Sequence, residues 1–295
     1  MFSYSTKSNT NSNLPLIGVG LRHEHYDDAL TSPANIDFIE VHAENFFARG
    51  GISHSLLADV KQHYAISIHA TSLGLGSVEP APSEQIEQLH QLCQQNDALL
   101  VSDHACFSWA NISDTPVHSG DLLPVPFNDE SLEVMSANVE RAQQHLGRQI
   151  LVENLSAYIE LPGSTYSEAE FLTKLCQQTG CKLLVDLNNL MVNAINQKVS
   201  DPVLQAQQWL EQIPSQLVGE FHLAGCTPVA ETDIMIDDHS QPVSSQVWQL
   251  YRYALQKFGP VPTLVEWDLS LPTWATLIAE ADKARTIAQE VLGDA

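Results

Sequence analysis

The 295-residue sequence predicts an α/β protein, a TIM (β/α)8 barrel with a metal site at the carboxyl ends of its strands. Three observations predict it. Eight short runs rich in Val, Ile and Leu recur along the chain, amphipathic segments with helix punctuation separate most of them, and ionisable side chains stand just past the runs. The length suits one barrel domain, placed at 15–295. The preceding MFSYSTKSNTNSNL (1–14) lacks the apolar stretch of a secretory signal and is expected to be a disordered tail.

The runs are LIGVGL (16–21), DFIEVHA (37–43), AISIHA (65–70), ALLVSDHA (98–105), QILVENL (149–155), KLLVDLN (182–188), LVGEFHLAG (217–225) and PTLVEWD (262–268). Near-continuous apolar runs mark parallel strands covered on both faces. Between them, SEQIEQLHQLCQQ starts at Ser83 and DESLEVMSANVERAQQHLG at Asp129, both with helical periodicity. SEAE (167–170) is a capping box that opens a helix stopped at Gly180, and Pro202 suits a first helical turn. SSQVWQLYRYALQKFG ends at Gly259. SVEPAPSE (77–84) and LLPVPFN (122–128) look like loops.

Composition excludes several classes. With 13 Lys plus Arg against 36 Asp plus Glu, the net charge of −23 opposes a phosphate backbone, so nucleic acid is not an expected partner. No apolar run is long enough to span a bilayer, and no membrane association is expected. Five cysteines without a C-x-x-C pair fit a reducing, cytoplasmic setting.

Strand ends in a barrel converge on one mouth, which turns scattered residues into neighbours. The candidates for metal ligation are His69, His104, Glu153, Asn154, Asp186, Asn189, His222, Asp237, His239 and Glu266. In VDLNNLMVNAIN (185–196) Asp186 is the expected ligand; one asparagine joins it as ligand or hydrogen-bond partner, and the other shapes a turn. In DDHSQPV, Asp237 and His239 are two apart and project to one side of an extended segment. These are too many donors for one four-coordinate catalytic ion, so two or three metals are expected. Mixed imidazole and carboxylate donors suit Fe, Mn or Zn.

The segments GVGLRHEHY, EVHAENFF, SIHATSLGLGS, VSDHACFSW, LLPVPFN, VENLSAYI, VDLNNLMVNAIN, FHLAG and DDHSQPV, in this order, resemble the multinuclear non-heme iron-dependent oxidative enzymes. That bacterial family includes the methanobactin biosynthesis oxidase. The resemblance implies a TIM barrel with two or three irons, with Zn or Mn as substitutes. It also implies use of dioxygen to oxidise residues, often cysteines, of a ribosomally made precursor peptide presented by a small separate partner protein. By motif it groups His69, His104 and a bridging Glu153; then His222, Asp237 and His239; then Asp186 with Asn154. Some characterised members carry His where this chain has Asn189. His25, Glu44, Asn45, Asp103 and Trp109 occupy motif positions near the mouth, where they touch substrate or support the ligands. The competing expectations are an endonuclease IV-like or xylose isomerase-like metal enzyme on the same barrel, or a metal-binding protein without catalysis.

Overall fold

The computed structural model describes residues 13–48, 51–159, 161–230 and 232–293, so residues 1–12 of the expected tail lie outside the described residues. In chain order the first half comprises β1 (Ile17–Gly20), α1 (Tyr26–Thr31), β2 (Phe38–His42), α2 (Ile52–Val60), β3 (Ala65–His69), α3 (Ser83–Asn96) and β4 (Val101–His104). A hairpin of β5 (Phe107–Ile112) and β6 (Thr115–Leu123) follows, then α4 (Asp129–Leu146), β7 (Leu151–Glu153), α5 (Glu168–Thr179) and β8 (Lys182–Asp186). The remainder is α6 (Leu187–Asn196), α7 (Pro202–Glu211), β9 (Val218–Leu223), a short hairpin of β10 (Thr227–Pro228) and β11 (Met235–Ile236), α8 (Ser245–Phe258), β12 (Thr263–Val265) and α9 (Trp274–Leu292).

Eight of these strands close a parallel barrel in the order β1-β2-β3-β4-β7-β8-β9-β12 and back to β1. They are the eight apolar runs. Outward-facing Ile39, Val41, Ile66, Ile68, Val185, Phe221 and Val265 are buried under the helices, which is why the runs read as continuously apolar. The expected helix starts are present: Ser167 Oγ accepts from the Glu170 N–H, and Asp201 caps the turn that contains Pro202.

Strand alternation builds the interior in layers. Residues two apart point the same way, so each strand-end residue stands above an inward residue: His42 above Glu40, His69 above Ser67, His104 above Ser102, His222 above Glu220. Parallel register then pairs His42 with His69, His104 with Glu153, and Asp186 with His222 on adjacent strands.

Two expectations are corrected. VDLNNLMVNAIN does not run into a turn: α6 starts directly at Leu187, and the Asp186 side chain caps it by accepting from the Asn189 N–H at 2.7 Å. LLPVPFN is a loop only from Pro124, because Leu122 and Leu123 finish β6. The tip of that hairpin, Ser113 and Asp114, has φ of 50° and 62°, a left-handed pair that twists with the strands. Among the described residues no helix is long and apolar enough to cross a membrane.

Candidate metal centre

At the carboxyl ends of the strands lies a cavity of about 360 Å³ lined by His42, His69, His104, Glu153, Asn189, Asp237, His239, Glu266 and Asp268, among others. Its tightest cluster comes from β3, β4 and β7. His69 Nε2 and His104 Nε2 are 3.3 Å apart, and Glu153 Oε2 lies 3.5 and 3.4 Å from them. Two donors each about 2.1 Å from one ion stand about 3.0 Å apart at a right angle and about 3.4 Å apart at the tetrahedral angle. The spacing is that of three ligands around one ion. Ser102 Oγ lies 2.7 Å from His69 Nδ1; an N–H donated there leaves the Nε2 lone pair facing the cluster.

Further groups with ligand atoms within 4.8 Å of one another share members with the first: Glu153, Asp186 and His222, then Asp186, His239 and Glu266. Glu153 and Asp186 thus link successive groups. Glu153 Oε2, Asp186 Oδ2, Asn189 Oδ1, His222 Nε2 and His239 Nε2 are buried without a hydrogen-bond partner. Buried polar atoms are ordinarily satisfied, so orphans gathered at and beside the strand ends, those of Glu153, Asn189 and His239 on residues that line the cavity, fit a bound cation. His239 Nε2 is 2.8 Å from Asp237 Oδ1 yet makes no well-directed hydrogen bond with it, as two ligands aimed at a common ion would. His239 also has φ of 46°, a strained setting for a non-glycine residue.

The electrostatics agree. Burial, then the neighbouring Asp186 and Glu266 charges, raise Glu153 to about 8 against the pull of His104 and His222. Burial and Asp237 raise Asp186 to about 7. Burial and the neighbouring His104 hold His69 well below its usual value. For His104, burial opposes protonation but is outweighed by Glu153 and Asp103, which lift it to about 9.

Several predicted residues serve as supports. Asn154 spends both ends of its amide on the Asp186 backbone, donating to the carbonyl at 3.2 Å and accepting from the N–H at 2.9 Å, so it positions that strand end. Glu266 Oε1 accepts from Arg22 at 2.9 Å, while Oε2 faces His222 Nδ1 at 3.1 Å and His239 Nδ1 at 3.5 Å. Glu266 thus orients two imidazoles, and its carboxylate also stands with Asp186 and His239 in one of the possible ligand groups. Asp103 accepts from the Leu73 N–H, Glu44 from the Thr71 N–H and Ser72 Oγ, and Trp109 donates to the Ser72 carbonyl; together they fix the loop after His69. His25 sits against Trp274 and the Pro272 carbonyl, and Asn45 is exposed; the structure brings neither to the cavity. Arg22, Glu40 and Glu220 were not anticipated. The last two lie two residues before His42 and His222, so strand alternation carried the signal.

Residues 16–289 match the family model described as "RiPP precursor modification enzyme MbnB/TglH/ChrH". The chain belongs to that family. Relatives in it called UPF0276 proteins include one from Vibrio vulnificus, 42% identical over 92% of this chain and 91% of its own length. Another, from Vibrio parahaemolyticus, is 39% identical over 94% of each chain. Among solved structures, endonuclease IV from Thermus thermophilus superposes with a TM-score of 0.58 at 12% identity, over 94% of this chain and 99% of its own. D-psicose 3-epimerase from Clostridium cellulolyticum does so with a TM-score of 0.57 at 12% identity over the same shares. At that identity the likeness shows the TIM-barrel fold alone.

Within the family fold, one glycine packs directly against the backbone that follows His239. A Cβ on Gly225, just past β9, would stand 2.2 Å from the Gln241 carbonyl oxygen, so any side chain there displaces the backbone next to His239. If the groups at the strand ends bind metal, Gly225→Ala is expected to weaken retention near Asp237 and His239 and to spare any ion at His69, His104 and Glu153. Metal content per chain before and after dialysis checks it; unchanged retention would show that the loop can give way at no cost.

Proposed function

We propose that this chain is a multinuclear iron-dependent oxidase or oxygenase that uses dioxygen to modify residues, cysteine foremost, of a ribosomally synthesised precursor peptide. A small separate protein presents the peptide, in a cytoplasmic setting. The single observation that carries the reading is the set of linked ligand groups on the floor of one mouth cavity, in a family of precursor-modifying enzymes. One ion is held by His69, His104 and Glu153, and a second by Asp186, Asp237 and His239, while Asn189 donates Nδ2 to the Asn154 carbonyl and keeps an unpartnered Oδ1. Mixed imidazole and carboxylate donors fit iron, with Zn or Mn as substitutes. Bound iron supplies electron transfer and Lewis acidity towards dioxygen and a thiolate.

The protein's own part is orientation and proton control. Ser102 and Glu266 fix the imidazoles, and the Asp186 cap fixes its carboxylate to the start of α6. Exposed Tyr158 and Leu269 on the cavity wall give an incoming peptide apolar surface to lie on. The net charge of −23 steers towards a basic leader or partner.

Metal uptake has a defined pH dependence in this reading. Glu153 at about 8, Asp186 at about 7 and His104 at about 9 hold protons at pH 6 that a cation must displace, whereas depressed His69 is already neutral. Affinity for Fe2+ should therefore rise between pH 6 and 8.5, with protons released on binding. Titration calorimetry in two buffers of different ionisation enthalpy measures that release. A pH-independent affinity would contradict the ligand assignment.

The reading itself is tested by expressing the protein with iron-57, purifying it anaerobically, and combining elemental analysis with Mössbauer spectroscopy. Two or more irons per chain with a coupled ferric signal is the expected result. Stoichiometric zinc without iron, from iron-rich cells, would overturn it in favour of hydrolytic or isomerase chemistry.

A further inference from the structure

Beside the mouth lies a second cavity, of about 440 Å³, walled by α6, α7, the start of α5 and the segment that follows β7. The two cavities share Leu155. Ala105 and Leu190, which follow His104 and Asn189 in sequence, line the second cavity, so it backs on to the segments that carry the candidate ligands. Tyr158 and Ile159 are consecutive and 48% and 60% exposed; Tyr158 lines the mouth and Ile159 the side cavity. A chain lying across that segment meets an apolar ridge with a cavity on either side.

The side cavity is almost free of charge. Phe127, Leu161 and Leu190 give it apolar wall, and Gln197, Gln205 and Gln208 give it neutral polar groups. Glu168, the first residue of α5, is the ionisable exception among the described residues. Its Oε2 accepts from the Trp209 Nε1–H at 2.9 Å, which fixes the carboxylate on the wall that α7 provides. Burial pushes Glu168 up to about 7 against the hydrogen bonds from Trp209 and the Leu155 backbone, and no charged neighbour offsets it among the described residues. A carboxylate in that setting gains from a counter-ion. No second His, Cys, Asp or Glu lines the cavity among the described residues, so a bare metal ion finds one protein ligand there. A Lys or Arg side chain fits better: its stem lies on the apolar wall, its head reaches Glu168, and the glutamine carbonyls accept its remaining protons.

We propose that the side cavity is a subsite for the precursor peptide, taking a Lys or Arg side chain close in sequence to the residue presented at the mouth, with Glu168 as its counter-charge. An extended peptide advances about 3.3 Å per residue with alternate side chains on one face, so a wall one side chain thick is crossed in roughly two to four residues. The net charge of −23 favours an occupant of the same sign. The inference rests on the reading of the substrate as a peptide, and adds the chemistry that the peptide carries beside its modified position.

The test uses the whole chain free of metal, so its outcome does not depend on iron or on oxidation. The probe is Nα-acetyl-lysine N-methylamide, and the control is its norleucine counterpart, which lacks the charge. Binding is read from the Trp209 indole N–H resonance, assigned with Trp209→Phe. The expected result is a saturable shift with the lysine probe, about tenfold weaker with norleucine and about tenfold weaker for lysine in Glu168→Gln, whose amide oxygen still accepts from Trp209. No shift with lysine overturns the inference, and so do equal affinities for the two probes or an unchanged affinity in folded Glu168→Gln. If that variant does not fold, the comparison of the two probes on the unsubstituted protein decides. A lysine-selective shift in a protein that takes up no iron supports the subsite and removes the oxidase reading, whereas iron uptake without the shift does the reverse.

Discussion

His104→Ala and Glu153→Gln are each expected to strip at least one metal ion per chain and to lower turnover of the peptide by more than 100-fold, while the barrel remains folded. Loss of an outer hydrogen-bonding partner of a metal site already costs 10–100-fold, and these substitutions remove donor atoms themselves. His104 Nε2 stands 3.3–3.4 Å from the other two atoms of its cluster, so its removal leaves two donors where three converged. Glu153 belongs to two of the linked groups, and Glu153→Gln should therefore disturb more than one ion. Circular dichroism and thermal melting establish that the fold is kept, and elemental analysis gives the metal count. Full metal content in folded His104→Ala and Glu153→Gln would mean that the site has been misassigned.

Arg22→Met should cost the metal-free protein about 3–5 kcal/mol, the range for removing one partner of a buried ion pair. The lower end applies, because Asp268, one of the two partners, retains 27% exposure. Arg22 is the cation that faces both carboxylates at the β12 end, at 2.9 and 2.5 Å. Without it Glu266 is left with buried imidazoles as its compensation, and the orientation of His222 and His239 loosens with it. Urea denaturation of the single variant and of Arg22→Met/Glu266→Gln provides the check. The double variant should recover most of the loss, and a single-variant cost below about 1 kcal/mol would show that the pair contributes little.

The barrel was legible because its strands are sandwiched between side-chain layers, which leaves apolar runs that no loop imitates. The mouth residues were legible for the opposite reason, as ionisable groups just where such runs stop. What escaped is instructive in physical terms. Asn188 and Asn189 resemble turn formers, yet the Asp186 carboxylate accepts from the Asn189 N–H in the first turn of α6 and lets a helix start without a loop. The β5–β6 hairpin carries Ser113–Asp114 where the usual sequence signal is Asn-Gly, so its left-handed turn was hidden. Glu40 and Glu220 were absorbed into apolar runs, because a buried carboxylate is an uncommon occupant of a strand interior.

Closure of the barrel by pairing β1 with β12 also sets a biosynthetic order of events. The His69–His104–Glu153 cluster is complete once the chain has grown past β7, whereas His239, Glu266 and the partners of Arg22 emerge more than eighty residues later. A ribosome adds about 5–20 residues per second, so the half-built centre is displayed for seconds before the last strand seals the sheet. During that interval a divalent ion that binds imidazole and carboxylate tightly would have the first claim on two histidines and a glutamate. Occupancy of the mature enzyme is then decided in part by the metal supply around the nascent chain.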